Sequence, residues 1–238
     1  MLILAIDTAH KNGSITLAQT DNHSFQLLQT LPVDGGAFSA QLVPRIAQLL
    51  ADNGFNKSSI DAYVACVGPG SFTGLRIGLS GIKGLAEVLP RPIAAVSSLE
   101  ALAAAAGFAT NAQRPSPSDS SQNAPGPDIL LALLDAGRSE FYAGEYRREG
   151  HHLTRISEAL CTPDELKRLL KQGSTAIASQ STVADFVLAA GANCITVPEV
   201  DSARIAEVGW RKLLAGDTIS ADALDANYLR RDDSLFTK

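Results

Sequence analysis

The stretch from Gly68 to Leu89 restricts the fold more than any other part of the chain. It follows Ala62 to Val67, an unbroken apolar run of strand length, and the Gly68-Pro69-Gly70 turn marks a strand handing over to a helix. Leu75, Leu79, Ile82, Ala86 and Leu89 recur at spacings of four, three, four and three, which puts one apolar stripe on a helix facing a core. Gly74, Gly78 and Gly81 make a second row at four and three, with Gly84 beside it. Each glycine in a helix interior costs about 1 kcal/mol relative to alanine, so the row needs a reason.

Three reasons are open. A helix surface without side chains lets another backbone come close, so the row can be a docking surface for a second helix. The free amides beneath Gly68-Pro69-Gly70-Ser71 can hold an anion, with Ser71 capping the helix. The third is tight packing of the helix on its own sheet. Arg76 and Lys83 lie on the same helix and can meet acidic residues of a partner, although exposed ion pairs contribute little by themselves.

An apolar fraction of 45% in 238 residues supports one large or two ordinary domains. The formal net charge of −5 provides no basic field for a polyanion, so direct nucleic-acid binding by this chain alone is not expected. No run approaches the ~18 apolar residues of a membrane span. Met1-Leu2-Ile3-Leu4 enters a strand without a basic leader, and a cytoplasmic location is expected. Cys66, Cys161 and Cys194 lack paired metal-ligand spacing and read as buried free thiols. His151 and His152 are adjacent, while His10 and His23 stand alone, so no pair is spaced to seat a metal.

Taken in order, Leu2 to Ile6 is a strand ending in Asp7-Thr8-Ala9, followed by a turn and a second strand, Ser14 to Ala18. A third strand is expected over Ser24 to Leu31. Ser39 is expected to cap a helix carrying Leu42, Ile46, Leu49 and Leu50 on one face, with Pro44 bending or delaying its first turn. After the glycine helix come a strand at Pro92 to Val96 and an alanine-rich helix to about Ala106. Thr110 to Asp128 has almost nothing to bury and reads as a linker. Ile129 to Leu134 then ends in Asp135-Ala136-Gly137-Arg138, and Glu140 to Tyr146 returns as a strand. Thr162-Pro163-Asp164-Glu165 opens a helix with a capping box. Helices at Ser181 to Ala190 and Ser202 to Leu214 complete the second half.

Asp7 and Asp135 stand at the tips of similar hairpins 128 positions apart, and an internal duplication is the economical explanation. The chain is therefore expected to be α/β, with two duplicated βββαβα-type domains and mixed sheets. The expected boundaries are 1–108 for the first domain, 109–128 for a linker, 129–225 for the second domain and 226–238 for a tail that packs back. Duplicated hairpins with aspartates at their tips resemble the actin-like (ASKHA) layout, in which they hold nucleotide phosphates. Such hairpins usually read Asp-x-Gly-Thr/Ser. Here Asp7-Thr8-Ala9-His10 lacks the glycine, and Asp135-Ala136-Gly137-Arg138 has arginine in place of the hydroxyl. The candidate anion or nucleotide contacts are Asp7, Thr8, Gly68, Gly70, Ser71 and Asp135. One reading is an ATP-binding small-molecule kinase or ATPase using Asp7 and Asp135 with magnesium.

The run Gly68-Pro69-Gly70-Ser71-Phe72-Thr73-Gly74-Leu75-Arg76-Ile77-Gly78 resembles the TsaB family, formerly called YeaZ, of bacterial tRNA threonylcarbamoyladenosine biosynthesis. Ile3-Leu4-Ala5-Ile6-Asp7-Thr8, Val96-Ser97-Ser98-Leu99-Glu100-Ala101-Leu102, Leu134-Asp135-Ala136, Glu140-Phe141-Tyr142 and Tyr228-Leu229-Arg230 extend the likeness. Two departures stand out: Ala37-Phe38-Ser39 where the family often has His-Ser, and a longer insert at Thr110 to Asp128. The resemblance implies a non-catalytic accessory subunit that pairs with its paralogue TsaD, and with itself when alone. TsaE joins the full complex, and tRNA is met only indirectly. No tightly bound cofactor or metal is implied; ATP is expected only at the assembled complex. It also implies that the glycine row is the docking surface, with Phe72, Thr73, Gly74, Arg76, Ile77, Gly78, Gly81 and Gly84 as the partner interface.

Overall fold

The computed structural model describes residues 1–109, 128–149, 152–171 and 174–230. The first half runs β1 (Leu2–Asp7), β2 (Asn12–Thr20), β3 (Phe25–Asp34), α1 (Phe38–Asp52), β4 (Ala62–Gly68), α2 (Phe72–Val88), β5 (Ile93–Ser97) and α3 (Ser98–Ala109). The second half repeats that succession as β6 (Asp128–Gly137), β7 (Glu140–Glu149), β8 (His152–Cys161), α4 (Pro163–Leu170), β9 (Thr175–Ala178), α5 (Ser181–Ala189), β10 (Cys194–Thr196) and α6 (Ser202–Leu214).

Both sheets have five strands in one order, β3-β2-β1-β4-β5 and β8-β7-β6-β9-β10. In each, a long antiparallel meander joins two parallel strands, and the expected duplication and actin-like two-sheet fold are present. The strands that pair on both sides are near-continuous apolar runs: β1 is buried at all six positions because helices cover both faces of the sheet. On one face Leu4, Ile6, Ile15 and Leu17 meet Leu42, Ile46 and Leu49 of α1 and Leu79 and Ile82 of α2. Each of these side chains, fully buried, contributes roughly 1.5–3 kcal/mol. The second core gathers Leu131, Leu133 and Phe141 beneath Leu166 and Leu170 of α4 and Val183 and Val187 of α5.

The compact units do not follow the expected boundaries. Met1–Ala101 joins Val200–Tyr228 in one unit, and Leu102–Glu199 forms the body of the other. The last helix, expected in the second domain, packs on the first sheet, against β1, β2, β4 and β5. Its anchors are polar as well as apolar. Asp201 caps it by accepting from the Ala203 and Arg204 amides at 3.0 and 3.2 Å, and the Ser202 amide donates to Ser14 Oγ at 2.9 Å. A Cβ on Gly209 would come within 2.3 Å of Val64, so α6 lies very close to β4. The linker expected at 109–128 lies almost wholly outside the described residues, as does the end of the tail expected at 226–238.

Two local expectations also change. Helix α1 starts at Phe38, one residue before the expected Ser39 cap, because burial of Phe38 to 7% exposure fixes the start in place of a side-chain cap. Pro44 lies inside this helix and does not delay it. The capping box at the start of α4 forms as expected, with Thr162 and Glu165 bonding each other's backbone amides. Among the described residues, no helix is long and apolar enough to cross a membrane.

Candidate functional site

Strand β4 ends at Gly68, whose φ of +90° is open to glycine and strained for other residues. The turn that follows presses on the β1–β2 turn. A Cβ on Gly70 would lie 2.3 Å from the Ala9 carbonyl oxygen, and the Ser71 amide donates to that same oxygen at 2.7 Å. Ser71 caps α2 as expected, its Oγ accepting from the Gly74 amide at 3.2 Å. The anion expected on this turn would have to displace the Ala9 carbonyl, so Gly70 and Ser71 are structural contacts.

The glycine row faces inward. A Cβ on Gly74 would sit 2.1 Å from the Thr8 carbonyl oxygen, and one on Gly78 would sit 2.3 Å from Thr8 Oγ1. Thr8, only 2% exposed, donates its hydroxyl to the Gly74 carbonyl at 2.8 Å. At Gly81 the Cβ would meet Leu42 of α1 at 2.8 Å. The docking role expected for Gly74, Gly78 and Gly81 is therefore corrected: tight packing on the chain's own sheet and on α1 explains them. Gly84 differs, with open space around it.

The aspartates at the two hairpin tips have opposite surroundings. Asp7 is 2% exposed and accepts from the Ala9 amide at 2.9 Å. Burial pushes its carboxyl above the ordinary carboxylate range, against the pull of His10 and the Ala9 amide. The neighbouring Cys66 thiol is pushed well above its ordinary value by its own burial and then by the Asp7 charge. With Asp7 desolvated, the Thr8 hydroxyl engaged and the Ser71 amide occupied, the first hairpin does not fit a nucleotide phosphate or its magnesium ion. Asp135 remains exposed. It accepts from the Gly137 amide at 2.7 Å, while its own amide donates to Gln180 Oε1 at 2.8 Å. Gly137, Arg138 and Ser139 follow with φ of +70°, +57° and +61°, and the turn borders a cavity of about 450 Å³ floored by the Phe141–Phe186 ring pair.

What α2 offers outward is a different set of residues. Phe72 is 51% exposed and Val88 67%, and between them lie Thr73, Arg76, Lys83 and Gly84, all exposed, with Ile77 half-buried. The adjacent α1 exposes Val43 to 69%. At the head of α2 the Arg76 guanidinium lies 3.7 Å from the Phe72 ring centroid, and its Nε–H donates to Tyr228 Oη at 3.1 Å. Tyr228 in turn packs on Phe72 with ring centroids 5.1 Å apart. The Asn227 amide, donating to the Val67 carbonyl at 2.7 Å, fixes the tail there. Sequence reasoning named Phe72, Thr73, Arg76 and Ile77 but gave no role to Val43, Val88 or Tyr228. Unpartnered valines on otherwise amphipathic helices were the available signal for the first two.

The family described as "TsaD: tRNA N6-adenosine threonylcarbamoyltransferase" matches residues 35–200, which include α1 and α2. The tRNA threonylcarbamoyladenosine biosynthesis protein TsaB of Escherichia coli is 30% identical over 176 residues, 72% of this chain and 67% of that protein. TsaB of Bacillus subtilis is 32% identical over 66% of this chain, which covers 59% of the relative's length. An uncharacterized Mycobacterium leprae protein is 31% identical, with only 35% of its length covered. Among solved structures, YeaZ from Pseudomonas aeruginosa superposes with a TM-score of 0.70 at 22% identity, over 95% of this chain and 100% of that one, and shares the fold. An identity of 30% spread over two thirds of both proteins decides the matter: the chain belongs to the TsaB (YeaZ) family.

Proposed function

We propose that this chain is a non-catalytic subunit of the bacterial threonylcarbamoyl-transfer machinery that modifies adenosine next to the tRNA anticodon. It acts by docking TsaD on the outer face of α2, and pairs with a second copy through the same face when TsaD is absent. TsaE joins the assembled complex in the cytoplasm, tRNA is reached only through the complex, and ATP binds there and not to this chain alone. The observation that carries the reading is the outward face of α2, where Phe72 and Val88 are 51% and 67% exposed on either side of the open position Gly84. These exposed apolar side chains mark the two ends of one outward side of the helix, with Ile77 half-buried between them. The naming of the relatives as TsaB proteins supports the pathway.

The competing kinase or ATPase reading is disfavoured by the buried Asp7 and engaged Thr8. The test is to mix the purified chain with TsaD and measure the mass of the product by light scattering. A heterodimer in the wild type, lost in Gly84→Trp with unchanged circular dichroism, is expected. TsaD binding of undiminished affinity by Gly84→Trp would overturn the assigned face. Micromolar Mg-ATP binding by the isolated chain, abolished by Asp7→Ala, would favour the kinase instead.

A further inference from the structure

The head of α2 holds a constellation that a solvated arginine does not need. Arg76 is fixed twice, by its plane over Phe72 at 3.7 Å and by its Nε–H bond to Tyr228 at 3.1 Å. Stacking and the Nε bond remove most of the rotamer freedom that an exposed arginine otherwise loses only on binding. No bond within the described residues takes up the outer edge of the guanidinium, its two Nη groups. Tyr228 Oη accepts from Arg76, which leaves its own proton to donate, and the ring is 37% exposed. A fixed guanidinium edge beside a free phenolic O–H, both set on an exposed phenyl ring, has the donor geometry for one carboxylate.

Resting on the docking reading above, we propose that Phe72, Arg76 and Tyr228 form a preset clamp for a carboxylate side chain of the TsaD-family partner. Tyr228 is its positioning residue, and the chain's tail is thereby part of the docking surface. The partner is the occupant for two reasons. The clamp lies on the same outward face of α2 as Gly84 and Val88, and the TsaD family matches this chain across α1 and α2, so TsaD carries a like helix pair to lay against that face. The cationic clamp also requires an acidic counterpart on that partner.

The experiment is the affinity for purified TsaD of the full chain and of Arg76→Gln, Tyr228→Phe and Gly84→Trp, at low and high salt. Arg76→Gln is expected to weaken binding about 10- to 100-fold and Tyr228→Phe about 3- to 10-fold. The salt dependence seen in the wild type should flatten in Arg76→Gln, a readout that loss of packing would not move. If both clamp variants bind TsaD within twofold of the wild type while Gly84→Trp does not bind, the clamp is wrong and the docking face stands. If Gly84→Trp also binds normally, the docking face itself falls.

Discussion

Substitution of the α2 glycines by alanine separates packing on the chain's own sheet from openness to a partner, because the sign of the effect differs along one helix. At Gly84 a Cβ meets nothing within 4 Å, so alanine brings only its higher helix propensity and should stabilise the protein by up to about 1 kcal/mol. At Gly78 the same gain is opposed by Thr8 Oγ1, 2.3 Å from the new Cβ. Rotating Thr8 away breaks the 2.8 Å bond to the Gly74 carbonyl and leaves a buried hydroxyl unpaired, which costs about 1–3 kcal/mol, and the crowding adds to it. The net expectation is a loss of roughly 1–2 kcal/mol. Gly74→Ala should be worse, about 2 kcal/mol or more, since the atom at 2.1 Å is the Thr8 backbone carbonyl and cannot rotate aside. Urea titration followed by circular dichroism measures all three. In a Thr8→Ala background the Gly78→Ala penalty should shrink by about 1–2 kcal/mol, because the opposing hydroxyl is gone. If all three alanines moved the midpoint in one direction by similar amounts, α2 would not rest on Thr8 as described.

Further outcomes follow from the titratable groups. The Asp7 pKa is raised in the folded state, so the carboxyl favours the native state below its unfolded value, and that contribution is lost as pH rises through the folded value. Asp7→Asn, which keeps an acceptor for the Ala9 amide, should therefore be more stable than the wild type at neutral pH. The advantage should vanish on acidification into the ordinary carboxylate range, and a pH series of melting curves that showed it growing instead would contradict the burial argument. Lys212 reaches Glu100 at 3.5 Å and Asp217 at 2.9 Å; burial opposes its charge, yet the two carboxylates hold its pKa above the usual value. Lys212→Met should cost on the order of 1–2 kcal/mol at neutral pH, discounted for partial exposure, with part recovered in Lys212→Met/Glu100→Gln, as denaturation of the single and double variants will show. The buried Cys66 thiol should resist alkylation in the native protein and react only after denaturation, measured by mass spectrometry.

Period and punctuation carried most of the fold. Apolar runs closed by turn residues located the strands, Thr162-Pro163-Asp164-Glu165 announced α4 through its capping chemistry, and the paired tip aspartates revealed the duplication. What failed was destination. The apolar stripe of α6 records that one side is buried, not which sheet buries it, and its return to the first sheet depends on contacts such as Ser202 to Ser14, 188 positions apart. The glycine row has the same limit: a run of positions without Cβ looks alike whether the approaching backbone is a neighbour's or the chain's own. Thr8 carries no mark of its bond to Gly74, and the tail motif Tyr228-Leu229-Arg230 does not state that its ring will lie on Phe72.

The two repeats share a strand order, so what differs between them isolates what the first has gained. The helix that follows β9 in the second repeat, α5, contains no glycine, and the aspartate of its sheet's hairpin stays in water beside a cavity. In the first repeat the glycines let α2 settle to backbone contact with Thr8, and the same approach brings the Ala9 carbonyl onto the turn amide that would otherwise face an anion. The inward face of α2 thus closes the hairpin that a nucleotide phosphate would use in this layout. A Cβ at Gly74 would hold the helix away from that hairpin by more than an ångström, since the contact with the Thr8 carbonyl now at 2.1 Å would have to lengthen to ordinary van der Waals distance. Burial of Asp7 and the glycine row are therefore one structural arrangement, and it leaves the opposite side of α2, from Phe72 to Val88, exposed.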